Sequence, residues 1–543
     1  MLHGIFALPL PENEPVREYR PGSPERRELL SALESLSSSE IEIPLVIGGK
    51  RVRTGNLASC VMPHEHRTRL ATVHVAGERE VELAVRAALE AWEAWSRTPW
   101  WERAAIFRRA ASLLAGPWRA RLNAATMLGQ SKSVHQAEID AACELVDFFN
   151  FNTAYLEAIY REQPPVSPRG VWNAIEARPL EGFVFAATPF NFTSIAGNLP
   201  TAPALMGNVS VWKPASTAVL SAYSILLLLE EAGLPPGVVN FLPGPGATVG
   251  PLLLARPELA GVHFTGSTAV FRSMWRAIGE RIDGYRSYPR IVGETGGKDF
   301  VVAHASADPD ELVAGLIRGA YEYQGQKCSA ASRAYIPDVL WDDVRDRMVA
   351  ELETIRVGDP RDFTCFMNAV IDANAFRSIR GAIEWARSSP SAAIVAGGGS
   401  DDRTGYFIEP TLILTADPRS RLMTEEIFGP VLTVFVYPAE RWADLLRLVD
   451  DTGPYALTGA VFARDRRAIT EAREALVHAA GNFYVNDKPT GAVVGQQPFG
   501  GGRASGTNDK SGSPLNLLRW VSHRAVKENF LPPKDYRYPF LEK

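Results

Sequence analysis

Between Gly182 and Phe264 the chain falls into short, almost unbroken apolar runs, Phe183-Val184-Phe185-Ala186, Val209-Ser210-Val211-Trp212, Val238-Val239-Asn240-Phe241 and Val262-His263-Phe264, separated by helical stretches. Strands that are apolar at nearly every position, not at alternate ones, are covered on both faces, so these runs predict a parallel sheet between layers of helix. Sheets of that kind bind cofactors beyond the carboxyl ends of their strands. Upstream, apolar residues recur at helical spacing in Val81, Ala84, Ala88 and Trp92 and again in Ile106, Ala110, Leu113 and Leu114. That pattern predicts a mostly helical region from Glu78 to Glu157, closed by prolines 164, 165 and 168. Residues 24 to 36 predict a short amphipathic helix, followed by a strand at Leu45-Val46-Ile47 and a turn at Gly48-Gly49. A second alternation starts near Arg290 with Ile291-Val292 and Phe300-Val301-Val302. It continues through a helix from about Pro309 to Tyr323 and runs to about His478. From Asn482 onward, glycine, aromatic and turn residues dominate, and this segment is expected to pack on something else, such as another subunit.

The length, 543 residues with 46% hydrophobic, allows two or three domains with substantial cores. A formal charge of -5 offers no basic field for nucleic acid. The four cysteines, at 60, 143, 328 and 365, include no C-x-x-C pair, which suits a reducing compartment. Nine histidines without ligand spacing predict no structural metal. The apolar start, Met1 to Leu10, has no preceding basic region and runs into Glu12 and Glu14, so it makes a poor signal peptide. The apolar stretch from Ala222 to Leu229 is too short to span a bilayer. A cytoplasmic protein without a membrane partner is expected.

The chemistry-bearing residues lie in three runs. Cys328 sits in Gly325-Gln326-Lys327-Cys328-Ser329-Ala330, whose polar flanks are poor core companions. A free cysteine is more often a small buried residue. Here the flanks favour an exposed thiolate whose pKa a nearby positive charge lowers. Glu294 stands before Gly296-Gly297-Lys298, either as a turn residue or as a general base. Asn191, in Thr188-Pro189-Phe190-Asn191-Phe192, is either a helix cap or an amide that holds an oxyanion. On the cofactor side, Gly244-Pro245-Gly246-Ala247-Thr248-Val249-Gly250 follows a strand and opens a helix, but its last glycine is one residue late for a dinucleotide fingerprint. Thr265-Gly266-Ser267 places small residues at a second helix N-terminus, which favours a phosphate. Lys213 ends a strand on the same sheet edge.

Taken in order, these elements resemble the aldehyde dehydrogenase superfamily. Lys213-Pro214-Ala215, Gly405-Tyr406-Phe407 and Glu425-Glu426-Ile427-Phe428-Gly429-Pro430 extend the likeness over most of the chain. Within it, Gln136-Ala137-Glu138-Ile139-Asp140, Gly293-Glu294-Thr295 and Gly495-Gln496-Gln497-Pro498-Phe499-Gly500-Gly501, followed by Arg503 to Lys510, resemble the 1-pyrroline-5-carboxylate dehydrogenase branch. That branch oxidises L-glutamate γ-semialdehyde to glutamate in the second step of proline catabolism.

The resemblance implies an α/β fold with a Rossmann-type cofactor domain, an α/β catalytic domain and a small β oligomerisation flap. The corresponding division is an arm at 1–40, a discontinuous cofactor domain at 41–165 and 180–289, and a catalytic domain at 290–480. A substrate-anchoring loop follows at 481–509, with the flap formed by 166–179 and 510–543. It implies Cys328 as nucleophile, Glu294 as base and Asn191 as oxyanion donor. The implied cofactor is NAD, held by Lys213, Gly246, Gly266, Ser267, Glu426 and Phe428. Ser216 stands where many NAD-specific relatives carry an acid, so NADP stays open. Gly491, Ala492 and Ser329 would anchor the substrate carboxylate, Phe192 and Phe499 would flank its chain, and Glu144 would receive its ammonium group. Some relatives have a serine at the position of Ala492. A homodimer or larger homo-oligomer is implied, and channelling with a separate proline dehydrogenase stays open. The competing readings are a dehydrogenase for another acid semialdehyde, such as succinate semialdehyde, and a non-catalytic protein that kept the fold.

Overall fold

The computed structural model describes residues 7–541; the leader reading of the first six residues, and Glu542 and Lys543 of the expected flap, lie outside the described residues. The apolar runs become the centre of a seven-stranded sheet. In chain order its strands are β1 (Leu45–Ile47), β2 (Lys50–Val52), β3 (Phe183–Ala187), β4 (Val209–Lys213), β5 (Val239–Phe241), β6 (Leu259–Thr265) and β7 (Arg290–Glu294). They lie side by side as β7-β6-β3-β4-β5-β1-β2. Strands β3 to β7 are parallel, and β1 and β2 close one edge antiparallel. Every residue of β3, β5 and β6 is buried, as unbroken apolar runs require.

Helices flank this sheet. They are α1 (Pro24–Ser37), α2 (Glu78–Trp95), α3 (Trp100–Ala115), α4 (Arg119–Gln130), α5 (Leu145–Arg161), α6 (Thr193–Leu205), α7 (Val219–Ala232), α8 (Gly246–Leu254) and α9 (Thr268–Glu280). The predicted arm helix is α1, capped by the Ser23 side chain with Pro24 in its first turn, and it packs on α4. From β3 the chain steps through β4 and β5 to one side, then returns to place β6 and β7 on the other. The strand order reverses between β3 and β6, and ligands of such sheets usually bind beyond the carboxyl ends of the strands at that point.

The second sheet comprises β8 (Asp299–Ala303), β9 (Ala331–Pro337), β10 (Ala392–Ala396), β11 (Thr411–Thr415), β12 (Val431–Tyr437), β13 (Thr458–Phe462) and β14 (Asn482–Val485). Its order is β10-β11-β12-β9-β8-β13-β14, with β10 alone antiparallel to its neighbour. Successive residues of β8 face opposite sides: Val301 and Ala303 join a cluster with Leu312, Leu316 and Met348, while Phe300 and Val302 join one with Trp442, Leu445 and Ile469.

Three boundaries differ from those read off the sequence. Residues 290–294 do not open the second unit; they pair with β6 and complete the first sheet, so the chain crosses between sheets at Thr295–Lys298. The segment after 480 contributes β14 to the second sheet. The strands Val171–Pro179 and Val521–Asn529 pair as a two-stranded ribbon, with Trp172 and Phe530 both exposed near its end. Residues 510–520, however, are not part of that ribbon: Leu517 and Trp520 are fully buried in the first core. Among the described residues, no helix is long and apolar enough to cross a membrane.

The start of β3 depends on a glycine. Gly182 has φ +129°, and a Cβ there would lie 2.1 Å from the Glu258 carbonyl oxygen that accepts the Phe183 N–H. Gly182→Ala is expected to cost about 2 kcal/mol or more through backbone strain and steric conflict. The check is a lowered thermal midpoint; an unchanged one would contradict the packing at this strand.

Candidate active site

The Cys328 loop is made by an unusual turn. After a helix at Pro309–Tyr321, the consecutive residues Tyr323, Gln324 and Gly325 take φ of 51°, 54° and 66°. Non-glycine residues adopt this left-handed region at a cost that the surroundings must repay. Gln324 Nε2 donates to the carbonyls of Ser131 at 3.0 Å and Ala369 at 2.8 Å, and the Ile371 N–H donates to Gln326 Oε1 at 2.9 Å. A Cβ on Gly325 would lie 2.2 Å from the Gly429 carbonyl oxygen. The chain is thereby turned back on itself and delivers Cys328 to the amino end of β9.

The thiol itself corrects the expectation from sequence. Cys328 is not an exposed thiolate beside a cation: it is only 9% exposed, and the Lys327 ammonium turns to Glu322 at 3.0 Å. Burial pushes the thiol well above its ordinary pKa, and the charges of Asp299, Glu426 and Glu294 push the same way. The backbone N–H of Cys328 itself acts in the opposite direction.

Asn191 lies in the loop between β3 and α6, where Phe192, not Asn191, occupies the helix cap position. Its amide donates to the Gln326 carbonyl at 3.1 Å, two residues from the nucleophile, and it is 4% exposed. The helix start beside it is held from a distance. Asp140 accepts from the Thr193 and Ser194 amides, both at 2.9 Å, from the Ser194 hydroxyl at 2.6 Å and from Lys132 Nζ at 2.7 Å. Asp140 belongs to a π-helical stretch, Glu138–Glu144, a deformation of the kind that often marks functional sites.

Glu294 ends β7 in register with Thr265. Its Oε2 accepts the Gly501 N–H at 3.3 Å, and a Cβ on Gly500 or Gly506 would meet its carboxylate oxygens at 3.0 and 3.3 Å. Burial raises this carboxyl well above the usual range and Asp509 adds to the rise, while the Gly501 N–H and the nearby Lys510 oppose it.

The residues expected to hold substrate fall into two groups. Ser329 Oγ is 2.7 Å from Thr490 Oγ1, which places the residue after the nucleophile against the start of the Gly491-Ala492 loop, where Gly491 has φ +95°. Glu144 Oε2 accepts from the Ser194 hydroxyl at 2.8 Å, and burial, reinforced by Asp140, lifts its carboxyl to about 8. Phe192, two residues before Ser194, carries the Lys132 ammonium over its ring at 4.5 Å. Phe499 is fixed by reciprocal backbone bonds with Ser511 at 3.0 and 2.8 Å and directly precedes the glycines that hold Glu294.

On the cofactor side, strand register aligns Ala187 with Lys213, Phe264 with Ala187 and Thr265 with Glu294 along the carboxyl edge. Lys213 is half-buried and its pKa is lowered by that burial. Gly246 opens α8 and Ser267 stands at the cap position of α9 without a side-chain cap bond, both exposed, and a Cβ on Gly246 would meet nothing within 4 Å. The late-glycine run therefore leaves open space at a helix N-terminus, and Ser216 is exposed near the end of β4. Glu426 Oε1 accepts the Gly297 N–H at 2.9 Å, and burial raises its carboxyl to about 7. Phe428, at φ 58°, meets Phe190 edge-on with ring centres 5.8 Å apart. Open helix N-termini, a strand-end lysine and a carboxylate at the domain crossing together suit a dinucleotide.

Sequence reading passed over Lys132, Ser194, Asp299 and Thr490. Asp140 was present within a quoted motif, but its partners at 193 and 194 lie 53 and 54 residues away, so no local signal revealed its role. A model of the "Aldehyde dehydrogenase family" matches residues 53–526. The chain belongs to the aldehyde dehydrogenase family. Among its relatives are mitochondrial delta-1-pyrroline-5-carboxylate dehydrogenases from Dictyostelium discoideum and Bos taurus. The first is 50% identical over 98% of this chain and 96% of the relative, the second 50% over 98% and 94%. The crystal structure of the delta-pyrroline-5-carboxylate dehydrogenase from Mycobacterium tuberculosis bound with NAD is 54% identical, covers 100% of both chains and superposes with a TM-score of 0.96.

Burial disfavours the Cys328 thiolate and the Glu294 carboxylate, the forms that attack on a carbonyl and proton abstraction from water would need. Raised pKa values mean that both competent forms are gained as pH rises. The pH profile of kcat/KM should therefore rise with pH; a profile that falls as pH rises would contradict the buried setting.

Proposed function

We propose that this protein oxidises L-glutamate γ-semialdehyde, the open form of 1-pyrroline-5-carboxylate, to glutamate with NAD as hydride acceptor. The observation that carries the reading is the meeting of three groups from distant parts of the chain: the Cys328 loop, the Asn191 amide bonded to that loop, and Glu294 close enough to raise the thiol's pKa. Relatives of this size and identity, with this activity in their names, support the choice of substrate.

The mechanism follows from these positions. The Cys328 sulfur forms a bond to the aldehyde carbon, and the resulting oxyanion is held by the Asn191 amide and the Cys328 backbone N–H. Lys213, Gly246, Gly266, Ser267, Glu426 and Phe428 would hold the dinucleotide, which when bound would supply the acceptor for the hydride that leaves the former aldehyde carbon as the oxyanion collapses to the Cys328 thioester. Glu294 then takes a proton from water as the water oxygen bonds to the acyl carbon of the Cys328 thioester; the carbon–sulfur bond breaks and the thiolate returns. Loss of one oxyanion donor costs on the order of 3 kcal/mol in the barrier, and loss of the base about a hundred- to ten-thousand-fold in rate.

Specificity comes from the two ends of the substrate. The Gly491 and Ala492 amides with Ser329 anchor the α-carboxylate, backbone donors needing no net charge to bind an anion. Glu144 receives the ammonium group, whose charge draws the raised carboxyl back to its ionised form. Phe192 and Phe499 line the aliphatic chain. The exposed ribbon of Val171–Pro179 and Val521–Asn529 supports a homo-oligomer, because a two-stranded ribbon is marginal alone in water.

Following reduced-dinucleotide absorbance with pyrroline carboxylate and with succinate semialdehyde tests the assignment: kcat/KM should favour the former by at least about tenfold, the size of one well-made ionic contact. The reverse preference would sink it. Glu294→Gln is expected to give a pre-steady-state burst of reduced dinucleotide followed by turnover slowed about a hundred- to ten-thousand-fold; unchanged steady-state turnover would remove Glu294 from the base role.

A further inference from the structure

The N-terminal arm before α1 has no part in the chemistry described so far, yet it makes dense polar contact with the elements that carry the proposed substrate contacts. Three acids along one side of the molecule hold it. Glu138 accepts from the Arg17 amide at 2.8 Å and the Tyr19 hydroxyl at 2.7 Å, Asp147 accepts from the Glu14 amide at 2.7 Å, and Glu157 accepts from the Leu8 amide at 2.7 Å. Arg119, almost fully buried, pairs with both Glu138 and Glu14 and donates to the Pro15 carbonyl at 2.7 Å. Glu138 opens the π-helical stretch that ends at Glu144, and Asp147 and Glu157 lie on α5, which continues it.

One residue of the arm reaches further. Asn13 Nδ2 donates both to Asp147 Oδ2 at 2.8 Å and to the Val494 carbonyl at 2.7 Å, and its Oδ1 accepts from Gln496 Nε2 at 2.9 Å. Val494 and Gln496 belong to the tight turn that leaves Gly491-Ala492, closed by the Gln496 and Gln497 amides on the Val493 carbonyl. The turn also presses on α5 directly, since a Cβ on Gly495 would lie 2.2 Å from the Phe151 ring. Asn13 therefore bridges the helix three residues past Glu144 and the loop two residues past Ala492.

We infer that Asn13 is a positioning residue for substrate specificity: by tying α5 to the 491–497 loop it fixes the distance between the ammonium-binding and carboxylate-binding ends of the site. The inference rests on the proposed contacts of Glu144, Gly491 and Ala492. A substrate that engages both ends feels the bridge, whereas an aldehyde that engages neither does not. Asn13 touches neither substrate nor dinucleotide, so its effect belongs in KM for the two-ended substrate.

The test compares Asn13→Ala, Gln496→Ala, the double variant and Glu144→Gln, each assayed with glutamate semialdehyde, propionaldehyde and NAD. Asn13→Ala should raise KM for glutamate semialdehyde about five- to tenfold, the scale of one or two lost hydrogen bonds, with kcat, propionaldehyde kcat/KM and the KM for NAD all within about twofold. Gln496→Ala should give a smaller rise, about two- to threefold. The double variant should be no worse than Asn13→Ala, because the only contact of Gln496 at issue is the one to Asn13. Equal effects on both aldehydes, no effect on either, or additive losses in the double variant would overturn the role. If Asn13→Ala fails to fold, Gln496→Ala decides by the same split: a selective rise supports the bridge and no selective rise ends it. If Glu144→Gln fails to separate the two aldehydes, the substrate contacts themselves are wrong; if it separates them and neither arm variant does, only the bridge is.

Discussion

The structure turns on a crossing of four residues, Thr295 to Lys298, where the chain leaves the last strand of one sheet and enters the first strand of the next. There is no space for a side chain at its middle. A Cβ on Gly296 would lie 2.2 Å from a Glu426 carboxylate oxygen, and one on Gly297 would lie 2.4 Å from both the Cys328 carbonyl oxygen and Asp299 Oδ2. The two glycines let the backbone of the crossing press directly against the Cys328 loop. Glu294 before the crossing, Glu426 above it and Cys328 below it are thus drawn into one place, although they lie on elements up to 132 residues apart in sequence. The carboxyl ends of β6 and β7 lead to the same place, since Thr265 and Glu294 are in register there, and ligands of such sheets bind beyond those ends.

Close packing of this kind excludes water, and its electrostatic cost is visible in the carboxyls. Burial is the leading cause of the raised pKa at Glu144, Glu294, Asp299 and Glu426 alike. Groups of this sort destabilise the fold as pH rises, because the unfolded chain releases its protons near pH 4 to 5 while the folded chain retains them to higher pH. The site is thus a place where stability is given up for groups whose protonation can change near the pH of use. Lys298 belongs to the same picture: its ammonium is buried beside Asp299, Glu426 and Arg333, and burial lowers it to about 7.

The scaffolding around these groups is polar as well as apolar. Asp140 satisfies two amides at the start of α6, which would otherwise be orphaned in the interior, and it does so as half of a buried pair with Lys132. The pair fixes Phe192 and, one residue earlier, Asn191. Its stretch of π-helix places Glu138 toward the N-terminal arm and both Asp140 and Glu144 toward the start of α6, where they meet at the Ser194 hydroxyl. An ordinary helix would space these carboxyls differently around its axis.

The sequence by itself determined most of the elements and singled out the candidate residues of the site. Apolar runs such as Phe183–Ala186 could only be doubly covered parallel strands, helical spacing located α2 and α3, and the flanks of Cys328, Glu294 and Asn191 marked them because a strained turn, a glycine crossing and a strand-end loop all have local composition. The tertiary structure alone decided what depended on residues remote in the chain. It assigned 290–294 to the first sheet, because pairing with β6 is a property of both strands. It buried Cys328 among carboxylates where its neighbours in sequence promised a cation. It joined Asp140 to α6 and Asn13 to the 491–497 loop across separations of 53 and 481 residues. Periodicity and turn chemistry act over a few residues and can be read in order; burial, desolvation and long-range hydrogen bonds depend on which surfaces meet, and that is settled only when the chain has folded.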